Sequence, residues 1–291
     1  MQRDTALQNS GPNMLNFPAM KKSILLTVLA TLILSLSGSL AAAQTNAVDP
    51  KAASTEKAEQ IVKKAIEVVG GPTYLNVRSV IGRGLFTPFH DGVSQIPTKF
   101  LDYIVFPGKE RTEFISNGIR TVQVNYGDEG WIFDGAVKTL NDQKPEQIED
   151  FKFGFRTSVE NILRGVWKNE GAKLSYIGRR EAGLAKRNET VRLTYPDGFW
   201  IEYEFGAKDG LPAKILYLRK HKNPDTGEVD ENPEADVLLK PITIDGVTAP
   251  WIIDHFIAGR QTSRISYESI EYNKPVADSL FVKPASVKAF K

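Results

Sequence analysis

His90, His221 and His255 are the three imidazoles of the chain, and imidazole is the side chain best suited to moving a proton or holding a metal near neutral pH. His90 stands beside Asp91 in a turn-like stretch, His221 lies in a charged run, and His255 follows Asp254. Neighbours on a regular strand point to opposite faces, so Asp254 and His255 do not form a dyad. Neither His-x-His nor His-Glu-x-x-His occurs, which leaves no zinc motif. Gly-x-Ser-x-Gly, the turn that exposes a hydrolase serine, is also absent. The chain has no cysteine, which removes thiol catalysis, cysteine-held metal and a lipid-bearing cysteine together. Asp225, Glu228, Asp230 and Glu231 are acidic enough to attract calcium, but their spacing is not that of an EF-hand. Carboxylates from distant strands could still meet and work as a hydrolytic pair. The sequence itself singles out no catalytic residue, no metal and no cofactor, and a non-enzyme is the simpler expectation.

Glycines offer a second kind of chemistry. The stretch VNYGDEGWIFDG, residues 124–135, holds three of them. A phosphate loop needs a lysine and then a helix after its glycines. Here WIFDGAVKTL follows, which reads as strand, so Gly127 to Gly130 is expected to be a hairpin turn. The basic cluster of Arg179, Arg180, Lys186 and Arg187 reads as a solvated hairpin end. With a formal charge of +2 over 291 residues, no strong field is on offer for nucleic acid. Asn188-Glu189-Thr190 matches the glycosylation pattern, a match without meaning in a bacterial-type exported protein.

The elements that must position any site begin with an export signal. Lys21 and Lys22 precede an apolar run from Ile24 to Leu40, and Ala41-Ala42-Ala43 offers a cleavage site before Gln44. A retained membrane anchor is the alternative. Residues 1–43 are thus expected to be an extension plus signal peptide, and residues 44–291 one domain. Cleavage removes three basic residues and one acidic one, leaving the mature chain formally neutral.

A helix is expected over residues 54–69, with Ser54 as its cap and Ala58, Ile61, Val62, Ala65, Ile66 and Val69 recurring at helical spacing. The period then changes to two. Strands are expected at 79–87, 98–106, 111–116, 119–126, 130–134, 172–180, 189–195, 199–205, 213–219, 249–257 and 262–272. Pro196-Asp197-Gly198 and Lys208-Asp209-Gly210 read as hairpin turns, and short connections imply an antiparallel meander. Residues 144–171 break the run with two short helices, which either close one end of the sheet or form an apolar lid over a cavity. The charged, proline-punctuated stretch 220–235 reads as a long exposed loop.

In its order of elements the chain resembles the LolA/LolB-type lipoprotein-carrier superfamily of the cell envelope. The first helix leads into LNVRSVIGRGLFTPF; FPGKERTEF, the VNYGDEGWIFDG hairpin, the helical interruption and DGLPAKI follow; and ISYESIEYNKPVADSLFVKP closes the chain with Asp278, Phe281 and Pro284. This resemblance implies a mainly β, α+β fold: an incomplete antiparallel barrel, or half-barrel, with helices covering an apolar cavity. It implies a periplasmic carrier that shields acyl chains of a lipoprotein or lipid, with inner- and outer-membrane sorting proteins as further partners and no nucleic acid. Phe86, Phe106, Phe114, Trp131 and Phe133 are the cavity candidates, and Phe151, Phe155, Ile162 and Trp167 the lid candidates. Each could equally be ordinary core. The alternative function is an envelope structural or interaction module with no cavity ligand. At one position the chain departs from the family: Phe106 stands where the carriers have the arginine that latches the lid, and that role does not pass to nearby Arg111.

Overall fold

A computed structural model describes residues 50–222, 227 and 229–290. The expected export signal, together with Asp225 and Glu228 of the charged stretch, lies outside the described residues. Helix α1 runs from Pro50 to Val68. It starts four residues before the expected cap, so Ser54 is an interior residue. Its hydroxyl accepts from the Tyr176 amide at 3.0 Å and donates to the Tyr176 carbonyl at 3.2 Å, docking the helix on the sheet. Ala58, Ile61, Val62 and Ala65 form the buried face. Gly70 stops the helix at φ 128°, where a side chain would collide with the Gly246 carbonyl. A single turn, α2, follows at Pro72–Leu75.

Seven strands come next: β1 (Ser79–His90), β2 (Val93–Ser94), β3 (Thr98–Val105), β4 (Lys109–Ser116), β5 (Ile119–Tyr126), β6 (Glu129–Asp134) and β7 (Thr139–Asp142). Helices α3 (Pro145–Thr157) and α4 (Val159–Leu163) and a 3-10 turn at Val166–Glu170 interrupt them. Seven more follow: β8 (Lys173–Glu181), β9 (Arg187–Thr194), β10 (Trp200–Gly206), β11 (Pro212–Lys222), β12 (Val229–Ile244), β13 (Val247–Ile257) and β14 (Arg260–Tyr272). The spatial order is β7-β6-β5-β4-β3-β1-β14-β13-β12-β11-β10-β9-β8, with β2 paired only to β1. Every pairing is antiparallel, and the sheet does not close. The fold is therefore an open half-barrel.

This order has a consequence for the helices. The first meander ends at the edge strand β7, the second begins at the opposite edge strand β8, and the two rejoin where β1 pairs with β14. The connection from β7 to β8 must cross one whole face of the sheet. Residues 145–170 are that connection, which is why the helical interruption sits over the concavity.

Two expectations are corrected. Within the stretch 220–235 the described residues are mostly strand: 220–222 finish β11 and 229–235 open β12, a strand of 16 residues. Pro233, Pro241 and the charge density hide the alternation in the sequence. Pairing to β11 on one side and β13 on the other supplies the ladders that make it a strand. Strand β7 was also not expected. By contrast, Tyr126 pairs with Glu129 across Gly127-Asp128, and Gly127 has φ 58°. Residues 127–130 are the expected hairpin turn, with glycine where a two-residue loop needs a positive φ.

Apolar side chains gather on both faces. On the concave face α1, α4 and strands β8–β11 share a core that includes Ile162, Leu193, Ile201, Tyr203 and Phe205. On the outer face Val122, Val124, Trp131 and Phe133 are covered by the C-terminal tail through Phe281 and Phe290. No helix among the described residues is long and apolar enough to cross a membrane.

Candidate ligand cavity

Where α1 and α4 stop filling the concave face, a cavity of about 510 Å³ remains between α3 and strands β1, β3, β4 and β11–β14. That volume falls in the usual range for sites holding small apolar ligands, roughly 300–1,000 Å³. Its floor is set by side-chain alternation: Val80 on β1 pairs with Ile104 on β3, and Ile253 on β13 faces Ile265 on β14. Two glycines shape the floor. A side chain at Gly84 would strike the Ser266 carbonyl, and one at Gly82 would come within 2.9 Å of the Tyr267 ring. Their absence lets Tyr267 lie against the sheet, edge-on to Phe100 at 5.6 Å.

The roof is α3. Phe151 and Phe155 are four residues apart, so they share a face, and both line the cavity. Their rings meet at 5.5 Å, and Phe155 meets Phe106 edge-on at 6.4 Å. Phe153 points the other way and packs 5.5 Å from both Phe199 and Tyr217. The helix is thus apolar on two sides, one anchored to the sheet and one over the cavity. Its middle turn carries ion pairs to both flanks: Asp150 with Arg219 of β11 at 2.5 Å, and Lys152 with Asp128 of the β5–β6 turn at 2.6 Å.

Of the nine expected side chains, the structure brings Phe106, Phe151 and Phe155 to the cavity. Phe86 and Phe114 pair with each other at 5.9 Å, on the concave face but outside the cavity lining. Trp131 and Phe133 are corrected. They stand on β6 at the register that points outward, where Phe133 stacks on Phe290 at 4.0 Å and the Trp131 indole donates to the Phe281 carbonyl at 2.9 Å. Ile162 is 1% exposed within the core and Trp167 packs against it, so neither covers the cavity. Arg111 also lies on the outer face, donating to the Leu280 carbonyl at 2.8 Å.

The polar part of the cavity is what sequence reasoning missed. Arg164, just after α4, lays its guanidinium 4.1 Å above the Phe106 ring. It donates to the carbonyls of Val77, Tyr74 and Leu75 at 3.2, 3.3 and 3.4 Å. Glu110, Glu160 and Asp236 also face inward. Burial raises the carboxyl pKa of Glu110 and of Glu160. Behind Glu110, burial and then the Glu110 charge hold Asp102 well above the carboxylate range. Thr112 touches both acids, at 2.9 Å from Asp102 and 3.4 Å from Glu110. Asp236 is bonded to His255 at 2.7 Å. Burial pulls that imidazole down, but the Asp236 hydrogen bond and the charges of Asp236 and Glu234 outweigh it and hold it above its ordinary value. The one sequence signal for this set is the strand period, which puts Glu110 in register with Ile104; no pattern announces an acid inside.

Asp102 and Glu110 are the carboxyl pair a hydrolytic reading would need. Only Glu110 lines the cavity, while Asp102 is 8% exposed behind it. A hydrolytic pair must flank the scissile bond from both sides. Among the described residues no group of His, Asp and Glu side chains is arranged to hold a metal ion.

No protein-family model matches the sequence, and no curated protein matches it. Solved structures do. A DUF1329 family protein from Desulfovibrio piger superposes with a TM-score of 0.51 at 10% identity, over 77% of this chain and 97% of its own. A LolA superfamily protein from Nitrosomonas europaea superposes with a TM-score of 0.50 at 13% identity, over 78% of this chain and 97% of its own. The chain has a LolA-like fold. At these identities the likeness extends to the fold alone.

Proposed function

We propose that this protein is a periplasmic carrier that shields acyl chains of a lipoprotein or lipid in the cavity beneath α3, as part of lipoprotein sorting in the envelope. The observation that carries the reading is the cavity itself: about 510 Å³, roofed by Phe151 and Phe155 and floored by aliphatic strand residues. Each methylene taken from water into such a site gains about 0.8 kcal/mol, so a chain is held without any chemistry. The LolA-like fold supports the same reading, as does the signal-like sequence at residues 20–44. The protein acts without catalysis, and its partners are acyl-bearing lipids or lipoproteins and the membrane proteins that deliver and receive them.

Native mass spectrometry of the mature protein from the periplasm, with solvent extraction of what travels with it, tests this. A stoichiometric lipid or lipopeptide is expected, lost in a folded Phe155→Glu variant and retained in Trp131→Phe. A ligand-free mass together with no uptake of fatty-acyl probes would overturn the carrier reading and favour an envelope interaction module.

A further inference from the structure

We propose that the cavity selects a chain carrying an amine headgroup, an alkylammonium amphiphile, over one that ends in a carboxylate. This rests on the cavity being the ligand site. Acids reach the lining from three separate elements: Glu110 from β4, Glu160 from α4 and Asp236 from β12. Asp236 is already engaged with His255. Glu110 and Glu160 have no salt-bridge partner among the described residues. Arg164 answers them only in part: its charge bears on Glu160, but its Nη donors go to three backbone carbonyls and its face lies on Phe106.

An independent feature marks the same spot. Tyr74 lines the cavity, is 7% exposed, and its buried hydroxyl lies near Glu160 and Arg164 without a hydrogen bond of normal geometry to any described residue. A buried hydroxyl left unpaired is costly, and a bound polar group would remove that cost. The group that fits all three is a donor bearing positive charge. An ammonium has three N–H bonds and no acceptor. It can donate to Glu110, Glu160 and the Tyr74 oxygen while its alkyl chain runs along the apolar floor. A carboxylate in the same place would meet acids from three elements and one cation, Arg164, whose Nη donors are already taken by carbonyls and which keeps only its Nε–H unpaired; like charges in a poorly solvated site repel strongly. Burial disfavours the charged form of Glu110 and Glu160, and an arriving ammonium supplies a countercharge to Glu110 and adds to the one Glu160 has from Arg164.

The experiment is calorimetric titration of the full mature protein with three chains of equal length, each below its micelle concentration: dodecylamine, 1-dodecanol and laurate. Dodecylamine is expected to bind at one-to-one stoichiometry at least about tenfold more tightly than laurate, with dodecanol between them. Glu110→Gln and Glu160→Gln, both close in shape to wild type, are each expected to weaken the amine several-fold and leave dodecanol unchanged. Laurate binding as tightly as the amine would overturn the proposal, as would an amine preference that survives both substitutions. Binding of dodecanol with no amine preference overturns the headgroup inference and leaves the carrier reading standing. No binding of any of the three overturns both.

Discussion

Arg164 joins three parts of the molecule with one side chain. Its guanidinium covers Phe106 at 4.1 Å and Tyr74 at 4.9 Å, and its donors reach carbonyls on and after α2. Cation–π contacts of this kind contribute about 0.5–2 kcal/mol. Arg164→Met is therefore expected to lower the stability to urea by about 1–2 kcal/mol. Arg164→Lys recovers only part of it, because an ammonium lacks the fork that serves several acceptors. The buried acids make a prediction of opposite sign. Burial raises Asp102 and Glu110 above their unfolded values. Such groups bind more protons folded than unfolded, so stability falls as pH rises from the ordinary carboxylate range through the folded pKa. Asp102→Asn keeps the shape and an acceptor for Thr112. It is expected to raise the melting temperature at pH 8 and to change it little at pH 4; an equal effect at both would contradict the assignment. At this scale the sequence was partly legible. Phe106, Phe151 and Phe155, expected from the sequence as cavity or lid aromatics, do line the cavity. Glu160 and Arg164 were not, because a charged residue near a short helix reads as solvated until the topology carries that helix across the sheet.

The C-terminal tail is an element without regular pairing that acts as a cover. Phe290 stacks on Phe133 at 4.0 Å, Arg111 and the Trp131 indole hold the carbonyls of Leu280 and Phe281, and Lys109 pairs with Asp278 at 2.7 Å. Phe290→Ala is expected to cost about 1–3 kcal/mol, less than a fully buried phenylalanine because Phe290 is half-buried. The intrinsic fluorescence of Trp131 should shift to the red. Acyl-probe uptake is expected to stay unchanged, since this contact lies on the outer face; loss of uptake would place Trp131 and Phe133 back in the binding site. Sequence period told strand from helix here, but it did not tell which face of β6 would be inside. Both faces of this sheet are apolar, one toward helices and one toward the tail, so alternation alone left the choice open. Strand β12 failed for a different reason. Its prolines and charges suit a loop, and it is a strand because its neighbours on both sides demand pairing.

For the molecule as a whole, the meander that leaves β7 and β8 as opposite edges decides how the cavity opens. Among the described residues the two edge strands are not paired with each other, and the connection between them is the roof. That roof is fixed along one side by Phe153 among Phe199 and Tyr217, whereas its ties to the flanks, Asp150 with Arg219 and Lys152 with Asp128, are ion pairs at the surface. Exposed ion pairs add little to stability and are screened by salt, while contacts of the Phe153 kind are not. A roof hinged on an apolar anchor and tied by screened charges is expected to open more readily as ionic strength rises. Stopped-flow uptake of a fluorescent acyl probe is expected to be several-fold faster at 1 M than at 0.05 M sodium chloride. The double variant Asp128→Asn, Asp150→Asn should reproduce most of that gain at low salt, with its urea midpoint close to wild type. Phe153→Leu should act differently, lowering stability because it loosens the anchor itself. Salt-independent uptake in wild type would mean that the chain enters by another route, between the free edges of the sheet rather than beneath α3.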